Sequence, residues 1–152
     1  MLSFLGTLGL LISYLILWFT RKNECPESIS GMVYVFPEKL HWIWTLWIWA
    51  LAFMILPGFL AVTPETWKFL AFLSIATLVF CGAMPLRAGE SNLAHNLLGI
   101  ASGILSQVCI ALTNPLLLLL WIPAVILIIL FRSKSTFISE ITCWLCIVLV
   151  IQ

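Results

Sequence analysis

The stretch "GESNLAHNLLGIASGILSQVCIALTNP", Gly89 to Pro115, decides how this chain is built. A histidine heads an otherwise apolar segment, and small or polar residues recur below it. At 3.6 residues per turn, His95, Gly99, Ser102, Ser106, Cys109 and Thr113 fall at i, i+4, i+7, i+11, i+14 and i+18, on one narrow helical face. Ile100, Ile104, Val108 and Ala111 take the opposite side, which is expected to meet lipid or a bulky neighbour. Gly99 and Gly103 also form a GxxxG pair. In a bilayer, helices associate through close backbone approach and interhelical hydrogen bonds. Gly99, Ser102, Gly103 and Ser106 are therefore read as a helix-packing seam.

The whole composition agrees with a bilayer. Of 152 residues, 63% are hydrophobic and 9% charged, too little polar surface to cover a water-soluble globule. The expected fold is all-α, a single polytopic transmembrane helix bundle. Net charge is +1 with no basic or acidic run, which argues against a nucleic-acid partner. All six acidic residues are Glu, so aspartate chemistry is excluded. Cys81, Cys109, Cys143 and Cys146 lie in apolar runs, and only Cys25 sits in a polar loop, so no disulfide framework is implied. The "CWLC" pair, Cys143 and Cys146, has redox spacing without the strand-to-helix context that gives it meaning.

A hydrocarbon core of about 30 Å needs roughly 20 apolar residues per helix. Six spans are expected, at about 2–20, 41–62, 69–86, 94–112, 116–131 and 137–151, the last two short. A five-span alternative would leave the final segment lying on the membrane surface. Six spans put Arg21, Lys22, Lys39, Arg87, Arg132 and Lys134 on one side and only Lys68 on the other. Lys and Arg near span ends are retained in the cytoplasm, so both termini are expected outside a bacterial inner membrane. "MLSFLGTLGLLISYLILWFTRK" lacks basic residues before its apolar run and a cleavage site after it, and reads as an anchor. The longest loop, "RKNECPESISGMVYVFPEK", is expected to fold against the bundle mouth, since "GMVYVF" is too apolar to float in water. A weak echo, His41 to "AVTPE" and His95 to "ALTNP", has unequal spacing.

Further seams are expected from Ser3, Gly6, Gly9 and Ser13 in the first span and Ser74, Thr77 and Cys81 in the third, bringing spans one, three and four together. In "HWIWTLWIW", Trp42 and Trp44 suit the headgroup level with wet N–H groups, while Trp47 and Trp49 need partners. Pro57 and Pro123 are expected to kink or loosen their helices.

The ligand-binding candidates are Arg87, Glu90, His95, Glu140 and His41, gathered at the cytoplasmic mouth because charges at a membrane edge pair or line a cavity. Glu140 lies inside the last span, where His95 or Arg87 is expected to meet it. No HExxH, HxxxH or Cys/His cluster supports a metal, and no cofactor or catalytic residue is assigned.

"ISGMVY", "ILPGFL…TPETWKFLAFLS" and "PLRAGESNLAHNLLGIAS" resemble small bacterial (Bacteroidetes-type) six-helix membrane proteins without an established activity, themselves distantly similar to the DRAM/Sfk/Frag-type family. The resemblance covers roughly residues 29–106. It implies a six-helix bundle with a role for His95 and Glu90. The expected function is non-enzymatic binding of a membrane lipid or membrane partner at the cytoplasmic mouth, with a homo-oligomer possible. A small transporter or channel is one alternative, and a membrane-disrupting effector of a defence or toxin system is another.

Overall fold

A computed structural model describes residues 2–22, 27–84 and 92–152. Among the described residues six α-helices follow one another: α1 (Leu2–Lys22), α2 (His41–Val62), α3 (Lys68–Ala83), α4 (Asn92–Thr113), α5 (Trp121–Leu130) and α6 (Ser135–Val150). No strand occurs among the described residues. Among the described residues, five stretches are long and apolar enough to cross a membrane, the last being Arg132–Val150. The shorter one is the fifth, Pro115–Leu130. The expectation that the last segment was the doubtful span is corrected: it is a full helix, and the shortfall lies before it.

Contacts fix the direction of every helix. Phe137 N–H donates to the Glu27 carbonyl (3.0 Å), so α6 starts beside the loop that follows α1. At the other end, a Cβ on Gly58 of α2 would lie 3.2 Å from Ser3 Cβ and 3.3 Å from Ile151 Cβ, so α6 finishes where α1 begins. The stretch between α4 and α6 must therefore run the length of the bundle. It does so by starting as a 3₁₀ helix, Pro115–Leu120, before continuing as α5. With a rise of about 2.0 Å per 3₁₀ residue and 1.5 Å per α residue, it reaches about 27 Å. Pro123 stands just past the change of helix type, where it gives the Leu119 carbonyl no N–H and prevents an unbroken α-helical ladder. Cys146 Sγ donates to the Leu117 carbonyl (3.5 Å), the antiparallel register this path requires.

The central helix is α2, which contacts α1, α3 and α6. Leu51, Ala52, Ile55 and Phe59 are fully buried, and a helix covered on several sides is apolar all round, as this one is. It continues through Pro57 to Val62. The outer faces carry exposed Ile16, Phe53, Phe72, Ile104 and Ile129, an arrangement suited to acyl chains.

The expected seam forms, with one change of partner. Ser74 Oγ donates to the Ser102 carbonyl (3.0 Å) and Ser102 Oγ to the Ser74 carbonyl (2.9 Å), a reciprocal pair that ties α3 to α4. Interhelical bonds of this kind contribute about 0.6–2 kcal/mol each. The small residues of α1 turn instead toward α2: a Cβ on Gly6 would meet Met54 Sδ at 2.9 Å, and Ser13 accepts from Trp47 Nε1 (3.4 Å). Spans one, three and four do not form one cluster, because α2 lies beside α1 and α3 and takes both faces.

The tightest approach is at Gly82, where an added Cβ would lie 2.5 Å from Ile48 Cγ2, while Thr45 Oγ1 donates to the Gly82 carbonyl (2.8 Å). Gly9 has nothing near it. Gly82→Ala is expected to destabilise the bundle by about 1–3 kcal/mol through overpacking, and Gly9→Ala to change it by less than about 0.5 kcal/mol. Unfolding in mixed micelles checks both.

Candidate functional site

A cavity of about 1130 Å³ opens among the first loop, α2, α3, α4, α5 and α6. Its wall changes character along its length. At the end near the first loop it is polar, with Ser28, Ser30, His95, Ser135, Ser139 and Glu140. In the middle lie Gly99, Ser102, Gly103, Ser106 and Cys143, and toward the far end Val108, Ala111, Leu118 and Ile147.

The gradient follows from the helices that make it. On α4, His95 is at the head and the seam below it replaces bulk with Gly and Ser, which leaves volume beside the helix. On α6, Ser135, Ser139 and Cys143 recur every four residues, and Glu140 shares their side. The GxxxG pair divides its faces: an added Cβ on Gly99 would contact Cys81 of α3 (3.6 Å), and one on Gly103 would contact Cys143 of α6 (3.7 Å). The 3₁₀ stretch touches both α4 and α6, whereas α5 itself leans on α6. Trp121 Nε1 donates to Gln107 Oε1 (2.9 Å) across the resulting gap. Ile100, Ile104 and Val108 edge the cavity and are also exposed on the bundle's outside, so the cavity opens sideways as well as at its polar mouth.

Glu140 is held by the first loop. Its Oε2 accepts from the Ile29 N–H, and the Ile29 side chain is buried in the core. Tyr14 donates its hydroxyl to the Ser28 carbonyl (3.2 Å), and Ser28 Oγ accepts from the Gly31 N–H (3.1 Å). A 3₁₀ helix follows at Ser30–Val35 with Val33 buried, so the loop folds against the mouth as its apolar residues required.

His95 does not pair with Glu140, and the expected contact between them is corrected. The ring Nδ1 lies 3.1 Å from the Cys81 carbonyl and 3.5 Å from Cys81 Sγ. Because a carbonyl only accepts, Nδ1 is assigned as the donor. The end of α3 thus turns the imidazole, and the loop holds the carboxylate, with both groups still in one cavity. His41, at the head of α2, is not among the residues that line it. Arg87 and Glu90 lie outside the described residues, as does Cys25. Ser102, Gly99, Gly103 and Ser106 all border the cavity as well as serving the seam.

Trp44 departs from its expected place at the headgroups. It is 3% exposed and its Nε1 has no partner among the described residues, because the first loop covers the head of α2. Trp49 Nε1 finds the Val79 carbonyl (3.0 Å), as a deep indole must.

Sequence reasoning missed the α6 stripe, the loop serines and the Gln107–Trp121 bond. The four-residue repeat of Ser135, Ser139 and Cys143 was a readable signal for the first. No His, Cys or Glu grouping among the described residues is arranged to hold a metal. No protein-family model, curated protein or solved structure matches this chain.

Leaving a buried donor without its acceptor costs about 1–3 kcal/mol. Glu140→Leu is expected to release the first loop and raise the rate of tryptic cleavage at Lys39 by at least about tenfold. Glu140→Gln keeps an acceptor for Ile29 N–H and is expected to stay within about threefold of the unaltered protein.

Proposed function

We propose that this chain is a non-enzymatic bacterial inner-membrane protein that binds an amphiphilic molecule, a membrane lipid being the natural source, in the cavity between α4 and α6. The observation that carries the reading is the cavity's gradient, from His95, Glu140 and hydroxyls at one end to Val108, Leu118 and Ile147 at the other. Sites for small ligands are mostly apolar with a few placed polar groups, and a cavity of about 1130 Å³ is large enough for a long acyl chain. Its lateral opening past Ile100, Ile104 and Val108 would let an acyl chain enter from the surrounding leaflet without passing through water. Such a binder needs no charged path across the membrane, and the acidic residue inside the span Arg132–Val150 is Glu140, which lines the cavity.

In this reading the polar mouth faces the cytoplasm, with Lys39, Arg132 and Lys134 on that side and both termini outside. Ser133 and Thr66 are exposed at opposite ends of the bundle. In a cysteine-free background, a membrane-impermeant maleimide applied to intact spheroplasts is expected to label Thr66→Cys and to spare Ser133→Cys until the cells are opened. Labelling of Ser133→Cys in intact cells would reverse the orientation.

Native mass spectrometry of protein released from mild detergent tests the binding itself. The unaltered protein is expected to retain lipid adducts. Gly103→Phe, which places a ring beside Cys143 in the cavity's waist, is expected to lose them while keeping its helical circular dichroism. Equal lipid retention by both would end the proposal.

A further inference from the structure

The ionisable residues that line the mouth of the cavity are Glu27, His95 and Glu140, beside the hydroxyls of Ser28, Ser30, Ser135 and Ser139. Glu140 engages Oε2 with the Ile29 N–H, and its Oε1 has no partner among the described residues. With Nδ1–H directed to the Cys81 carbonyl, the nitrogen of His95 left for a ligand is Nε2, 3.9 Å from Cys81 Sγ and an acceptor when the ring is neutral. Glu27, exposed at the rim, is the second acidic residue of the same lining. No lysine or arginine is among the described residues of that lining. Trp44 and Trp144 contribute indoles to the wall, and an indole face attracts a cation.

We propose that the occupant's polar end carries an ammonium group, as in an alkyl amine or an amine-headed lipid. The cation sits at Glu140 Oε1 with Glu27 and His95 around it, and the apolar chain runs along Ile104, Val108 and Leu118. An ammonium has three donors and no acceptor, the complement of a carboxylate and a neutral imidazole nitrogen. An anionic head would stand beside Glu140, with the acidic Glu27 on the same rim, and like charges at the membrane edge are costly. An alcohol would satisfy one hydrogen bond and set no positive charge opposite Glu140. This inference rests on the amphiphile reading above and narrows it to one class of head.

The test holds the chain constant and varies the head. Protein in a neutral maltoside is titrated at pH 7 with dodecylamine, dodecanol and dodecanoate, and bound adducts are measured by native mass spectrometry and by quenching of tryptophan emission. Dodecylamine is expected to bind at least about tenfold more tightly than the other two, and Glu140→Gln to bring it to the level of dodecanol. A preference for dodecanoate, equal binding of all three, or an undiminished amine preference in Glu140→Gln overturns the proposal. Should Glu140→Gln not fold, the unaltered protein's own ranking still decides, and Glu27→Gln is expected to weaken dodecylamine alone by about threefold. Failure of all three probes to bind would overturn the amphiphile reading itself, a result distinct from the wrong head. The source is separated in nanodiscs mixing phosphatidylethanolamine and phosphatidylcholine. Selective carry-over of phosphatidylethanolamine supports a lipid headgroup, and dodecylamine binding without that carry-over supports a free lipophilic amine.

Discussion

A carboxylate placed in the second turn of an apolar helix must be given hydrogen-bond donors, and the bond from Ile29 N–H to Glu140 meets that demand. Much of the architecture follows from it. The bond draws the first loop over the bundle end, where Ile29 and Val33 sink into the core and Trp44 is covered. It also sets the start of α6 beside that loop, which obliges the preceding stretch to cross the bundle from end to end. The short fifth segment manages this by lengthening its first six residues into a 3₁₀ helix.

Two kinds of helix contact divide the molecule. Between α2, α3 and α4 the backbones approach closely, through Gly82 against Ile48 and the reciprocal Ser74–Ser102 bonds. Between α4, α5 and α6 the contact is looser and is bridged by single bonds, Trp121 to Gln107 and Cys146 to Leu117. The same small residues act differently in the two places. Ser102 closes one seam, while Gly103 and Ser106 border the cavity on the other side of their helix. The close half supplies rigidity, and the loose half supplies volume.

The fold class, the helix count and much of the α4 face were legible in the sequence. Apolar length gives spans, and helical spacing of Gly and Ser gives a face, because both depend only on local geometry. The site was half legible. His95, Glu140 and the four seam residues do line one cavity, but the partner of each polar group was not readable. His95 turns to Cys81, and Glu140 turns to a backbone N–H 111 residues away in sequence. A backbone donor carries no residue-type signal, so no pattern of side chains could announce it.

What the sequence determined by itself was a helical bundle of membrane-crossing length with a polar stripe on α4, since hydropathy and periodicity are properties of each segment alone. What only the tertiary structure decided was which helix each stripe meets and where space is left between them. Glycine and serine permit close approach to any neighbour equally, so the choice of α2 for α1, and the gap between α4 and α6, arise from how all six helices share one cross-section.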